Sequence, residues 1–448
     1  MRFPIGFRPF RTTMSGEKIL EGCFAIHKPE GVTSADVLRK CQEHFNPSKT
    51  FAPWLQNERD RRERENKFQQ NRRRQKKIEV KIGHGGTLDP LATGILIAGV
   101  GKGTKSLSSF LGCTKSYETI VLFGAETDTY DRMGRIVRRA PYEHVTREKV
   151  EEALKQFRGP IMQKPPIFSA LRINGKRLYE YAREGKLPPV EIKSRPVEAV
   201  ELEIVEWYEP GTHEHKWPKE KMEGEEKRVA EQLLDQQAGT AAPVAEAETA
   251  AASSKRSAAD TPEVEHGADK KQKISESGEA QAAAAETAAT DAPAPAADAE
   301  AEADYLSSDS ESTAGDGTKK RRPQAPAVKI RMTVTSGFYV RSLAHDLGNA
   351  VGSCALMSEL IRTRQGDFEL VPEKVLQYED LANGEEVWGP KVEGFLSAWE
   401  EKIASQAAED IKAKQEAEET KANQAAEAHK PDQEVDAPKV EQEADATK

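Results

Sequence analysis

The sequence predicts an α+β domain, mixed α/β in its elements, around a largely antiparallel central sheet, with a long acidic insert and an acidic tail. Three observations predict this. Strand-like and helix-like runs are interspersed without regular βαβ spacing. Two alternating runs, 200–204 and 328–334, flank a low-complexity segment, which therefore reads as a loop between core strands. Two Ala-, Glu- and Ser-rich stretches are nearly free of aromatic residues, so they cannot bury enough apolar surface to offset the entropy of ordering.

The elements follow in order. Residues 23–26 form an apolar strand-like run that ends in a turn at Pro29-Glu30-Gly31. Ser34 is placed to cap a helix with Val37 and Leu38 inward. Residues 48–81 read as an insertion, and from Gln56 to Lys81 they hold 11 basic and 5 acidic residues, the pattern of a solvated helix. Within it Arg72, Arg73, Arg74, Lys76 and Lys77 suit phosphate contacts. Residues 116–124 read as a strand. Thr146 is placed to cap a helix with Val150, Ala153, Leu154 and Phe157 on one face. In 200–204, Val200, Leu202 and Ile204 alternate with Glu201 and Glu203; in 328–334, Val328, Ile330, Met332 and Val334 alternate with Lys329, Arg331 and Thr333. Val340, Leu343, Ala344 and Leu347 share one helical face, with Arg341 beside that stripe.

Charge divides the chain. The whole carries a formal net charge of −9 over 448 residues, which taken alone argues against a nucleic-acid partner. Residues 239–318 contain 17 acidic and 5 basic side chains, and residues 401–448 contain 13 and 7, so the remaining body is basic, near +9. The expected organisation is a basic N-terminal segment (1–19), a catalytic domain (20–214 and 325–400) containing the basic insertion (48–81), an acidic disordered insert (215–324) and an acidic disordered tail (401–448). Four scattered cysteines form no CxxC or His/Cys cluster, so a zinc site or disulfide framework is not expected. No apolar run reaches 18 residues, so no membrane span is expected.

One stretch holds candidate chemistry, Gly83-His84-Gly85-Gly86-Thr87-Leu88-Asp89-Pro90. Its glycines let a ligand approach the main chain. Pro90 biases Asp89 toward extended geometry just before the apolar run Ile95-Leu96-Ile97. A carboxylate on a stiff loop can serve as nucleophile or base; it can equally be a turn-forming Asx residue. The stretch lacks phosphate-loop spacing.

From residue 83 onward, GHGGTLDPLATGIL resembles the signature of the TruB-type pseudouridine synthases. The resemblance continues through ordered blocks: 26–34 (IHKPEGVTS), 115–118 with 123–129 and Asp131, 163–166 with 168–171 and 174–177, and 336–343 with 346–348. It implies the pseudouridine synthase fold and an RNA-modifying isomerase that converts uridine 55 in the T loop of tRNA to pseudouridine, with no cofactor or metal. Asp89 matches the catalytic aspartate, which forms a covalent adduct with the target nucleotide. Arg341 matches the arginine that pairs with it, and Tyr117 the active-site tyrosine that stacks on the flipped base and is implicated in removing the carbon 5 proton. His84 matches a histidine that holds the flipped loop. Lys28 and Pro29 match a block that buttresses the catalytic loop, in which Gly85, Gly86 and Thr87 are structural support. A non-catalytic tRNA-binding or folding protein of the same fold is the alternative; the presence of all three of Asp89, Tyr117 and Arg341 favours the enzyme.

The sequence departs from the family at His27, where aspartate is common, and shows no strand-rich RNA-binding domain after residue 370. The basic insertion is then expected to supply tRNA contacts. The layout looks like the fungal cytosolic–mitochondrial branch. The expected partner is the tRNA T-arm, with mRNA uridines as a further substrate class, acting as a monomer without a membrane. Arg2, Arg8 and Arg11, with no acidic residue before Glu17, fit a mitochondrial presequence or equally a basic tail. Lys255-Arg256 with Lys270-Lys271-Gln272-Lys273 resembles a bipartite nuclear signal, and Ser307, Ser308, Ser310 and Ser312 resemble acidophilic-kinase sites. Nucleus and mitochondrion, together with the cytoplasm, are the expected locations.

Overall fold

The computed structural model describes residues 16–66, 68, 77–166, 168–169, 171–183, 189–190, 192–235, 242–243 and 324–427. The chain begins β1 (Gly22–Lys28), α1 (Ser34–Phe45), α2 (Ala52–Glu63), β2 (Ile82–His84) and β3 (Thr93–Val100). It continues α3 (Leu107–Gly112), β4 (Lys115–Phe123), the hairpin β5 (Ala125–Thr127) and β6 (Ile136–Arg139), α4 (Arg147–Leu154) and β7 (Gly159–Gln163). Next come β8 (Arg172–Ile173), β9 (Lys176–Arg177), α5 (Leu178–Arg183), β10 (Arg195–Tyr208), α6 (Gly224–Asp235) and β11 (Ala242–Pro243). The last part is β12 (Ala327–Val334), α7 (Val340–Ala350), β13 (Ala355–Gln365), β14 (Phe368–Glu369), β15 (Leu376–Gln377) and α8 (Glu385–Glu427).

Among the described residues, the main sheet runs β11-β7-β10-β12-β4-β13-β3-β1-β15, with β2 beside β3 and β14 beside β13. Pairing is antiparallel except for β1 with β15 and β13 with β3. The largely antiparallel sheet expected from sequence is therefore present. The β13–β3 contact is short, joining Ile361 to Thr93 and Arg362 to Gly94. Gly94 has φ +100, and a Cβ there would collide with the Arg362 main chain, so glycine is what lets the strands meet.

That junction divides two cores. One lies under β4, β10, β12 and β13 and is closed by α7 and α4, with Leu343, Ala344 and Leu347 buried against it. The Val150, Leu154 and Phe157 face is buried there, and Thr146 caps α4 as expected. The other core lies under β1 and β3 and gathers Val37, Phe45, Phe51, Trp54 and Trp388 from α1, α2 and α8. The start of the basic insertion is thus folded: Phe45 and Phe51 stack with ring centroids 4.5 Å apart.

Four expectations need correction. Thr33, not Ser34, caps α1, accepting from the Asp36 amide. Val200 points outward, 55% exposed, because a bulge between Ala199 and Glu201 shifts the alternation of β10 by one residue; Leu202 is buried. The first part of the expected disordered insert is folded: Trp217 donates to the Phe123 carbonyl at 2.8 Å, and α6 follows. The tail expected to be disordered from 401 instead continues α8 through Glu427, with most of that extension exposed. Among the described residues no helix is long and apolar enough to cross a membrane.

Candidate active site

The Gly-rich stretch becomes the turn between β2 and β3, directly over the β13–β3 junction. Gly85 donates its amide to the Ile97 carbonyl at 2.9 Å, and a Cβ on it would come within 2.9 Å of Phe110. Gln365 donates to the Gly85 carbonyl at 2.7 Å, and Arg362, buried on β13, donates to the Gly86 and Ile95 carbonyls at 3.3 and 2.8 Å. Gly85 and Gly86 are buried, while Thr87 is exposed.

Asp89 lies at the far end of this turn with both neighbours gripped. The Ser34 hydroxyl donates to the Leu88 carbonyl at 3.1 Å and accepts the Leu88 amide at 2.9 Å. The Pro90 carbonyl accepts the Gly31 amide at 2.9 Å and the Lys28 ammonium at 3.1 Å; Lys28 also donates to the Pro29 carbonyl at 2.7 Å. Lys28 is fully buried, and burial pulls its pKa down to about 8, an effect that Asp89 and Glu30 oppose. The block 28–34 therefore clamps the loop that carries Asp89.

Arg341 meets Asp89 from the first turn of α7. Its Nε lies 2.8 Å from Asp89 Oδ2 and its Nη2 3.3 Å from Oδ1, a two-point fork. Its other donors reach the Thr129 and Phe168 carbonyls, each at 2.9 Å. Asp131 Oδ2 stands 3.9 Å from Nε. Burial alone would favour a neutral guanidine; the Asp89 and Asp131 carboxylates override it and hold Arg341 charged. The asymmetry of the pair is informative: the Arg341 side chain is 6% exposed and that of Asp89 34%. The cation is sequestered, while the carboxylate is partly exposed to solvent. A surface salt bridge would expose both.

A buried polar group stands behind Arg341. His345, one turn further along α7, stacks on Tyr130 with centroids 4.2 Å apart, and its Nδ1 lies 3.3 Å from Glu126. Glu126 also pairs with Arg138 at 2.6 Å. Burial raises the Glu126 pKa, but His345 and Arg138 more than offset this and leave it low. Burial raises the Asp131 carboxyl despite Arg341, and lifts that of Asp346 to about 6.

Tyr117 is buried on β4, opposite Met332 and Arg362, in the cluster that contains Leu88, Leu91 and Ala92. It shares a core with the residues flanking Asp89, with its ring nearly closed to solvent. His84 ends β2 beside the glycines, and burial lowers its pKa, favouring the neutral ring. Lys77 is exposed and pairs with Glu79 at 3.3 Å. Arg72, Arg73, Arg74 and Lys76 lie outside the described residues, as do the nuclear-type clusters and the serine cluster. Sequence reasoning missed Arg362 and Gln365 as supports of the loop; β13 also carries Ser358, Glu359, Thr363 and Arg364, so these two polar side chains do not stand out in its sequence. Among the described residues no group of three His, Cys, Asp or Glu side chains could hold a metal ion.

Known proteins resemble this chain in sequence. A family model described as TruB family pseudouridylate synthase (N terminal domain) matches residues 72–220. The tRNA pseudouridine synthase 4 of Schizosaccharomyces pombe is 35% identical over 399 residues, covering 87% of this chain and 86% of that protein. The chain belongs to the TruB family of pseudouridylate synthases. The Saccharomyces cerevisiae tRNA pseudouridine synthase 4 is 29% identical over 417 residues, 88% of each chain. The tRNA pseudouridine synthase B of Parabacteroides distasonis is 46% identical over 142 residues, 32% of this chain and 60% of that protein. This TruB chain thus matches two yeast enzymes along most of their length and the bacterial one over a shorter core. Arg341 lies beyond the stretch the family model matches, yet folding brings it to Asp89 within it.

Proposed function

We propose that this TruB-family chain converts uridine 55 in the T loop of tRNA to pseudouridine, with Asp89 as nucleophile. The observation that carries the reading is the Asp89–Arg341 pair: an accessible carboxylate, clamped through Leu88 and Pro90, and oriented by a sequestered guanidinium. The target uridine leaves its stack to reach such a group. Asp89 forms an adduct with the nucleotide as the bond from N1 to the ribose breaks. The freed uracil turns and rejoins the ribose through carbon 5 as the bond to Asp89 breaks and frees the carboxylate, and the carbon 5 proton is lost as N1 gains one. The change is an isomerisation, with no net oxidation or hydrolysis. Tyr117 packs against the base and is the candidate for the carbon 5 proton; His84 stacks on the opened loop. The names of the full-length relatives support tRNA as substrate. The basic residues 72–77 are the proposed contacts to the T-arm phosphates, mRNA uridines are a further substrate class, and the enzyme works as a monomer in nucleus, mitochondrion and cytoplasm.

The test uses a T-arm transcript labelled with tritium at carbon 5 of uridine. The chain releases tritium in proportion to pseudouridine at position 55, and a transcript with cytidine at that position releases none. Release from both transcripts would place the target elsewhere, and tight binding without release would favour the non-catalytic tRNA-binding reading.

A further inference from the structure

The loop that grips Arg341 is not self-supporting. Thr129 supplies a carbonyl to the guanidinium and Asp131 a nearby carboxylate; Tyr130 between them has φ +63, a left-handed conformation that non-glycine residues rarely adopt. Such a conformation persists only where the surroundings over-determine it. Tyr130 is 3% exposed, and the cluster that buries it is Val137 with Met222, Ala230 and Leu234. The last three belong to the segment that opens the acidic insert.

That segment is fastened to the hairpin β5–β6 at several points. The Ile136 amide donates to the Glu220 carbonyl at 2.9 Å, and the Met222 amide donates back to the Ile136 carbonyl at 2.8 Å. Arg139 stacks over the Trp217 ring at 4.9 Å, and Arg135 pairs with Glu226 at 2.9 Å. The contact is thus sheet-like along one edge and apolar underneath. On the far side of Tyr130 lies His345 of the helix that bears Arg341.

We propose that residues 216–235 are a positioning brace for the active site: Met222, Ala230 and Leu234 hold Tyr130 against His345, and Tyr130 holds the Thr129 carbonyl and Asp131 on Arg341. The insert therefore has two parts with different duties, a folded root needed for turnover and a remainder, 244–323, that is not. The inference rests on the Asp89–Arg341 reading above. Tyr130 and the apolar brace residues are buried and bear on Asp89 only through Arg341, so their loss is expected to act on rate at saturation and not on RNA affinity.

The experiment uses the full chain, a Met222→Ala/Leu234→Ala variant, a Met222→Leu variant, and a chain in which 244–323 is replaced by a short Gly/Ser linker. Amide exchange at Tyr130 and Arg132, which bond to the Thr127 and Met357 carbonyls, reads the brace without any substrate. The double variant is expected to speed exchange there at least tenfold. It is expected to cut the single-turnover rate at saturating T-arm RNA at least fivefold, with the dissociation constant within twofold of the parent. Met222→Leu and the linker chain are expected to match the parent. An unchanged rate, unchanged exchange, or a rate loss that follows RNA affinity overturns the proposal; the last would make the segment an RNA contact. If the double variant does not fold, Met222→Ala alone is judged by the same three readings. Should the parent itself fail to release tritium from the T-arm, the functional reading falls, while the exchange result still decides whether the brace exists.

Discussion

Asp89 rides on a loop whose flanking residues are gripped by a short block nearby in the fold, with Ser34 on Leu88, and Lys28 and Gly31 on Pro90. Arg341 is gripped instead by carbonyls from two other loops, at Thr129 and Phe168, and by a buried histidine, tyrosine and glutamate behind it. The first support is compact and rests on main-chain polar contacts that one block can supply. The second is assembled from segments scattered over 126–235 and 340–350. The difference teaches where the site is robust. The carboxylate side depends on a few hydrogen bonds, the arginine side on the packing of a whole half of the molecule.

Four substitutions would break or sharpen that contrast. Arg341→Lys is expected to be the most damaging. A point charge cannot span both Asp89 oxygens and two carbonyls, and breaking a buried pair costs about 3–5 kcal/mol. Single-turnover rates should fall on the order of 100-fold or more. Near-parental rates would mean that the planar fork is dispensable.

Lys28 gives the carboxylate side a pH signature. With its pKa at about 8, the ammonium that donates to the Pro90 carbonyl is lost as pH rises through that value. The rate should decline above about pH 8, and Lys28→Met should be slow at neutral pH and lack that alkaline limb. Stability has the opposite sign: the unfolded chain keeps this proton up to about 10.4, so the Lys28 contribution becomes more favourable between pH 8 and that value. A Lys28→Met profile with the same alkaline decline would remove Lys28 from the account.

Ser34→Ala leaves the buried Leu88 amide and carbonyl without their hydroxyl partner. The expected cost is about 1–3 kcal/mol in a denaturation midpoint, with a smaller fall in rate. The smallest effect is Asp346→Asn. Burial raises the carboxyl to about 6, with His345 opposing, so the folded state holds its proton more tightly than the unfolded chain. Its contribution to stability is lost as pH climbs from about 4 to 6. The variant should therefore melt slightly higher than the parent at pH 7 and equally at pH 4. No difference at pH 7 would show that this carboxylate is well solvated.

Much of the fold was legible because burial is periodic. Val328, Ile330, Met332 and Val334 alternate inward as their pattern requires, and the Leu343-Ala344-Leu347 stripe of α7 packs into the core, although the helix is buried on its other sides as well, through Arg341, Ser342, His345 and Asp346. The two runs that flank the insert are core strands as expected, and the structure adds that they pair with each other as β10 and β12. What escaped has physical reasons. A bulge in β10 turns Val200 outward, and nothing in its composition announces an extra residue. The acidic character of 215–324 hid a root in which Trp217, Met222 and Leu234 supply enough apolar surface to dock. At the site, the signature showed Asp89 and Arg341, but the Thr129 and Phe168 carbonyls that hold Arg341 are main-chain atoms, which any residue carries. The buried Arg362 likewise serves main-chain partners, so its role appears only once the strands are paired.

The central claim is that the accessible carboxylate, and not the surrounding fold, performs the reaction. Asp89→Asn tests it most directly, since it keeps shape and volume while removing the negative charge. The account predicts no tritium release from the T-arm transcript over many parental half-times, with RNA affinity within about twofold of the parent. Sustained release by the Asp89→Asn chain would contradict it.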